Sequence, residues 1–89
     1  MYYIYILKLS NKQLYTGFTR DLKRRIEEHK IGKVKSTKYR RPIKLIHYEC
    51  YNLKSDAMRR EKFLKTTEGK RLLRKQIRDV LKLEKVIKQ

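Results

Sequence analysis

Residues 2–9, YYIYILKL, are aromatic or aliphatic everywhere except Lys8, and both alternating faces are apolar. Tyr3, Tyr5, Leu7 and Leu9 line one face, Ile4 and Ile6 the other, which predicts a strand covered on both sides. The polar break SNK follows, with Asn11 the residue most tolerant of a turn conformation. QLYTGF at 13–18 predicts the returning strand of a hairpin. Thr19 is placed to cap a helix over about 20–30, with Asp21 in its first turn, Leu22 and Ile26 as its apolar stripe and Gly32 as its end. Residues 32–41, GKVKSTKYRR, hold little core material and are expected as a basic loop. After Pro42 a third strand is predicted, alternating Ile43, Leu45, His47 against Lys44, Ile46, Tyr48. Ser55 is expected to cap a second helix over 56–66. Gly69 is expected to break the chain, and Leu73, Ile77, Val80 and Leu81 mark a third helical pattern. The order β-β-α-β-α-α predicts an α+β fold, a small three-stranded antiparallel sheet flanked by helices. With 89 residues and no repeat or linker, the chain is expected to form a single domain over 1–82. Residues 83–89 are expected as a helical or frayed tail.

Turn length decides which side chains of the hairpin meet. A three-residue turn at 10–12 pairs Leu9 with Gln13, sets Leu7 opposite Tyr15 and Tyr5 opposite Gly17, and puts both tyrosines on one face. A two-residue turn puts them on opposite faces. In the first register Gly17 leaves an empty spot beside Tyr5, where another backbone or a ligand can come close. Taken alone, both tyrosines are also ordinary strand aromatics at a core edge.

Charge changes the picture. Lys and Arg number 26 against 9 Asp and Glu, a formal net charge of +17, and charged residues make up 39% of the chain. Self-repulsion of that size opposes compaction, and a polyanionic partner is its natural counterpart. DNA or RNA comes first, because neutralising phosphates releases counterions; an anionic membrane surface comes second. The apolar N-terminal run is too short to span a bilayer, so no membrane partner is expected. The single Cys50 cannot form an internal disulfide, and a cytoplasmic location is expected.

Candidate chemistry is sparse. One Cys and two His at unrelated positions make no zinc site, and three scattered glycines make no phosphate loop. In the first helix Arg25 and His29 lie four apart on one face beside the Leu22/Ile26 stripe. Arg25 offers a planar fork for phosphate and His29 a proton donor or acceptor near neutral pH, although both also suit a solvated charged face with Glu27 and Glu28. In the second helix, at 100° per residue, Glu61 falls among Leu64, Ala57 and Met58. A carboxylate in an apolar arc requires either a cationic side chain or a metal ion.

These residues together resemble the two-part signature of the GIY-YIG nuclease superfamily. Tyr3-Ile4-Tyr5 and Tyr15-Thr16-Gly17 stand for its two elements, GFTRDLKRRIEEH for its helix with the Arg, and AMRREKFLK for its helix with the metal-binding Glu. The similarity covers about residues 2–78, and the nearest group is the small stand-alone, excinuclease-C-like (UPF0213-type) proteins. Tyr3 stands in place of the first Gly and Thr16 in place of Ile. The resemblance implies a metal-dependent endonuclease that hydrolyses DNA phosphodiester bonds using a single divalent cation, Mg2+ or Mn2+. Tyr5 and Tyr15 would be its paired tyrosines, Arg25 the phosphate-stabilising residue, His29 an auxiliary group, Glu61 the metal ligand, and Gly17 the point of close approach. Either tyrosine is a candidate base, with Tyr5 favoured, because Arg25 and a cation are expected to lower a phenol pKa. Lys33, Lys35, Lys38, Arg40 and Arg41 are expected to track the nucleic-acid backbone without reading sequence. The DNA could be single-stranded, nicked or branched, RNA is a further candidate, and a protein partner is an option. A non-catalytic or partner-dependent nucleic-acid-binding module of the same fold is the alternative.

Overall fold

The computed structural model describes residues 1–86. Strand β1, Tyr2–Lys8, is the middle of an antiparallel sheet of order β2-β1-β3, with β2 at Leu14–Thr19 and β3 at Lys44–Tyr51. Its run of apolar residues explains the position, because only a central strand with both faces covered can bury them all. Ile4, Tyr5, Ile6 and Leu7 are each at most 1% exposed. Helices α2 (Lys54–Leu64), α3 (Thr67–Gln76) and α4 (Arg78–Leu83) cover one face, where Ala57, Leu64, Leu73, Ile77 and Leu81 pack on Ile4 and Ile6. Helix α1 (Leu22–Lys30) covers the other, where Ile26 and Ile43 join Tyr5, Leu7 and Leu9. The expected α+β order holds, with its last helical pattern interrupted at Ile77, which closes α3 and opens α4.

The hairpin takes the three-residue turn. Tyr5 pairs with Gly17 and Leu7 with Tyr15, while Leu9 N–H donates to the Gln13 carbonyl at 2.9 Å. The left-handed residue is Lys12, φ 69°, and not Asn11. The third position of such a loop takes that conformation, whereas Asn11 contributes its side chain, accepting from Gln13 N–H at 3.1 Å.

Several boundaries differ from expectation for local reasons. Asp21, not Thr19, caps α1, accepting from Arg24 N–H at 3.1 Å; Thr19 is buried and its hydroxyl accepts from Asp21 N–H, turning the chain into the helix. Gly32, φ 83°, follows α1, and Lys33 N–H reaches back to the Glu28 carbonyl. The loop after it does hold core material: Val34 and Thr37 are buried, and Lys38–Arg40 makes one 3-10 turn. In β3 the register slips between Ile6, opposite His47, and Leu7, opposite Leu45. Such a bulge breaks strict alternation. Ile43 and Leu45 therefore face α1, while Ile46 packs toward the α2 side, where Glu49 binds His47 and the α2 residue Arg60. Helix α2 starts two residues earlier than Ser55 suggested, with Leu53 at its cap and no side-chain cap bond, and Met58 is 41% exposed and lies outside the core. Gly69 does not break the chain. It sits in the first turn of α3, capped by Thr66, where a Cβ would collide with the Phe63 carbonyl. Beyond α4, Glu84 bonds Lys8 at 3.0 Å and Lys44 at 2.6 Å. Of the expected 83–89 tail, residues 87–89 lie outside the described residues. Among the described residues no helix is long and apolar enough to cross a membrane.

Candidate active site

The register places Tyr5 directly across from Gly17, and the tyrosine uses the space. A Cβ at Gly17 would collide with Tyr5 Cζ and its hydroxyl. The gap expected to admit a ligand or another backbone is thus filled by Tyr5's own phenol ring. Tyr15, two residues before Gly17, projects from the same face of β2 and remains partly exposed, its ring centroid 6.4 Å from that of Tyr5 and 5.3 Å from that of His29.

Helix α1 brings His29 to the two tyrosines. It is fully buried, and its two nitrogens have distinct partners: Tyr5 OH at 2.8 Å from Nε2 and Thr37 Oγ1 at 2.7 Å from Nδ1. The Thr37 oxygen also lies 3.5 Å from the Val34 carbonyl, an acceptor at the outer limit of a hydrogen bond. Assigning the Thr37 proton to that carbonyl makes the Thr37 oxygen the acceptor of His29 Nδ1–H, leaves Nε2 unprotonated and makes the Tyr5 hydroxyl the donor. Burial, reinforced by the Arg25 charge, pulls the imidazole down from its ordinary 6.5 to about 4. At neutral pH His29 is therefore an uncharged acceptor. Ser36 from the same loop donates to Tyr15 OH at 3.2 Å. Neither Ser36 nor Thr37 is among the sequence-predicted site residues. Their only signal is a pair of hydroxyls in an otherwise basic stretch.

Arg25 lies one turn before His29 on α1 and donates to Glu28 Oε1 at 3.2 Å. Its charge also acts on the Tyr5 hydroxyl, in the expected downward direction. Burial outweighs it, and the Tyr5 phenol is held above its ordinary value. Of the two lowering influences expected, Arg25 acts as expected but does not by itself overcome burial, because Tyr5 sits at the floor of the site with its ring enclosed.

Glu61, on α2, is only 18% exposed at its side chain and pairs with Lys65 Nζ at 3.4 Å. Its charge is among those that push the Tyr5 phenol up. Among the described residues no three His, Cys, Asp or Glu side chains gather as a ready metal cage. A single carboxylate whose charge reaches the Tyr5 phenol is nonetheless a hard-oxygen donor of the kind that suits Mg2+ or Mn2+, which keep several waters and use one or two protein carboxylates. Zinc would call for nitrogen or sulfur ligands that are not gathered here.

Lys33, Lys35, Lys38, Arg40 and Arg41 are all exposed, and none forms an ion pair among the described residues. Arg41 turns its donors inward, to the carbonyls of Lys38 at 2.9 Å and Lys30 at 3.3 Å, and its guanidinium lies over Gly32. It ties the loop to the end of α1. The other four point their charge outward.

A three-stranded sheet with two tyrosines on one face, an Arg and a His from the first helix and a half-buried Glu from the second defines a GIY-YIG catalytic domain, and the family model of that description matches residues 1–76. The chain belongs to the GIY-YIG family. Its relatives include a UPF0213 protein of Haloquadratum walsbyi, 40% identical over 82 residues that cover 89% of this chain and 92% of that protein. A UPF0213 protein of Staphylococcus aureus is 42% identical over 74 residues, covering 82% and 90%. Among solved structures, the solution NMR structure of a UPF0213 protein from Bacillus halodurans matches with a TM-score of 0.53 and 38% identity, over 82% of each chain.

Proposed function

We propose that this protein is a divalent-metal-dependent endonuclease that hydrolyses DNA phosphodiester bonds with little sequence preference, and that the Tyr5, Tyr15, Arg25, His29 and Glu61 cluster is its active site. The observation that carries this reading is the buried hydrogen-bonded chain Tyr5 OH–His29–Thr37, read with the Nδ1 proton on the Thr37 side. It commits the phenol proton to a neutral imidazole and leaves the phenol oxygen free to accept. Tyr5 then works as a relay and not as a standing phenolate: its oxygen takes a proton from the attacking water as its own proton passes to His29 Nε2. Tyr15, half-exposed and bonded to Ser36, is placed to donate to a phosphate oxygen or to orient that water. Arg25 offers its charge to the phosphate oxygens as negative charge develops. Glu61 would hold the cation, which supplies Lewis-acid charge to the phosphate and the leaving oxygen. The outward lysines and Arg40 of the loop grip the backbone without reading bases.

The test compares purified wild type with Glu61→Ala on single-stranded, duplex, nicked and branched DNA, with Mg2+, with Mn2+ and with chelator. Wild type should cut only with the ion, and Glu61→Ala should lose cleavage by at least about 100-fold while still binding, as removal of a group stabilising transition-state charge does. Equal cleavage by both proteins would reject this site. Tight, salt-sensitive binding without cleavage by either would mark a binding module.

A further inference from the structure

A second cleft opens on the α2–α3 side of the edge strand β2, with a volume of about 240 Å3. Leu14, Leu64 and Leu73 form its apolar walls, and its polar groups are Tyr15, Thr16, Lys65, Lys70 and Arg74. Three cations therefore converge on one small concavity. Lys70 and Arg74 lie four apart on α3 and share a face. Lys65 sits at the end of α2, where its ammonium already touches Glu61. Arg74 Nη2 is buried and has no hydrogen-bond partner among the described residues. Burial alone acts on this guanidinium, pulling it below its ordinary value with no compensating carboxylate. A buried donor without an acceptor costs about 1–3 kcal/mol, more when charged, and like charges gathered beside it add to the cost. An unpaired buried charge in a native fold calls for an explanation, and an anion bound beside it is one.

We propose that this cleft is a phosphate subsite, taking a backbone phosphate of the bound strand other than the one to be cut. Lys70 and the Arg74 side chain, both lining the cleft, are its principal donors. The cleft adjoins the candidate active site through two shared residues: Tyr15 lines it and also meets His29 edge-to-face, and Lys65 pairs with Glu61. A strand whose scissile phosphate rests at Tyr5 and Arg25 would pass the rim of β2 into this cleft. The inference rests on the nuclease reading above for the identity of the strand, but its recognition chemistry is that of a phosphodiester anion alone.

The test uses short single-stranded DNA oligonucleotides, each with one phosphate replaced by an uncharged methylphosphonate at successive positions. Affinities are measured by fluorescence anisotropy in chelator, for wild type, Arg74→Met and the exposed-site variant Lys70→Ala. Wild type should lose affinity several-fold at more than one position. Both variants should become insensitive at one and the same position and respond like wild type elsewhere, and their log–log salt slopes should fall by about 0.7, one single-strand phosphate. Arg74→Met, which keeps the aliphatic packing and removes the orphaned charge, should melt no lower than wild type. Identical positional profiles in all three proteins would overturn the proposal, as would a large drop in the melting temperature of Arg74→Met, which would make Arg74 structural. Cleavage of the same oligonucleotides with Mg2+ separates the two readings. Coupling without cleavage rejects the nuclease and keeps the phosphate site, and cleavage without coupling does the reverse. Failure of wild type to bind would overturn both.

Discussion

At the residue scale the site depends on a hydroxyl that no motif pointed to. Thr37 receives His29 Nδ1–H and thereby sets which nitrogen faces Tyr5. Thr37→Val keeps the shape and removes the acceptor. It should cost about 1–3 kcal/mol in denaturant unfolding and reduce cleavage, and Thr37→Ser should restore both. Protonation of His29 gives a second expectation. Its folded value of about 4 lies below the ordinary 6.5, so the unfolded chain binds the extra proton first. This histidine therefore contributes stability that is full above about pH 6.5 and is lost as pH falls through about 4. NMR titration of the ring should show no midpoint near 6.5, and the acid limb of any cleavage profile that needs neutral His29 should fall below that value. Arg25 and His29 were legible in the sequence because helical spacing alone puts them on one face. The protonation state of Tyr5 was not, because it follows from how deeply the ring is enclosed.

At the element scale the hairpin register is the decisive feature, and parity made it readable: with a side-chain period of two, a three-residue turn is enough to align Tyr5, Tyr15 and Gly17 on one face. What the pattern did not contain was the occupant of the space over Gly17. Gly17→Ala should push the Tyr5 ring off His29 and cost about 1–3 kcal/mol through overpacking. Loss of the slowly relaxing His29 ring environment in NMR spectra, along with the lower unfolding midpoint, would check it. The bulge at Ile46 and the burial of Val34 and Thr37 escaped sequence reading for a common reason. Both are set by contacts with distant elements and leave no local periodicity to detect.

At the scale of the whole molecule, the +17 charge acts in two directions. Screening relieves self-repulsion in the folded protein, while it weakens attraction to phosphates. Raising salt from about 0.02 to 0.2 M should therefore raise the melting temperature and sharply lower affinity for DNA. A fall in both would mean that the ion pairs, such as Glu49 with Arg60 and Glu84 with Lys8 and Lys44, outweigh the repulsion. Charge was the plainest feature of the sequence. The way the fold distributes it, four outward side chains on one loop and an orphaned guanidinium in a cleft, depended on tertiary placement.

The loop of residues 32–41 is held from several directions: Ser36 on Tyr15, Thr37 on His29, the Arg40 carbonyl on Ser10 N–H, and Arg41 on the end of α1. The segment proposed to offer its lysines to a strand is thus also the segment that hydrogen-bonds the buried histidine. Anything that lifts it away from the sheet withdraws the acceptor from Nδ1 in the same movement. In the function proposed above, grip and reactivity would be interlocked, so that a poorly seated strand that pried the loop loose would disarm the proton relay beneath it.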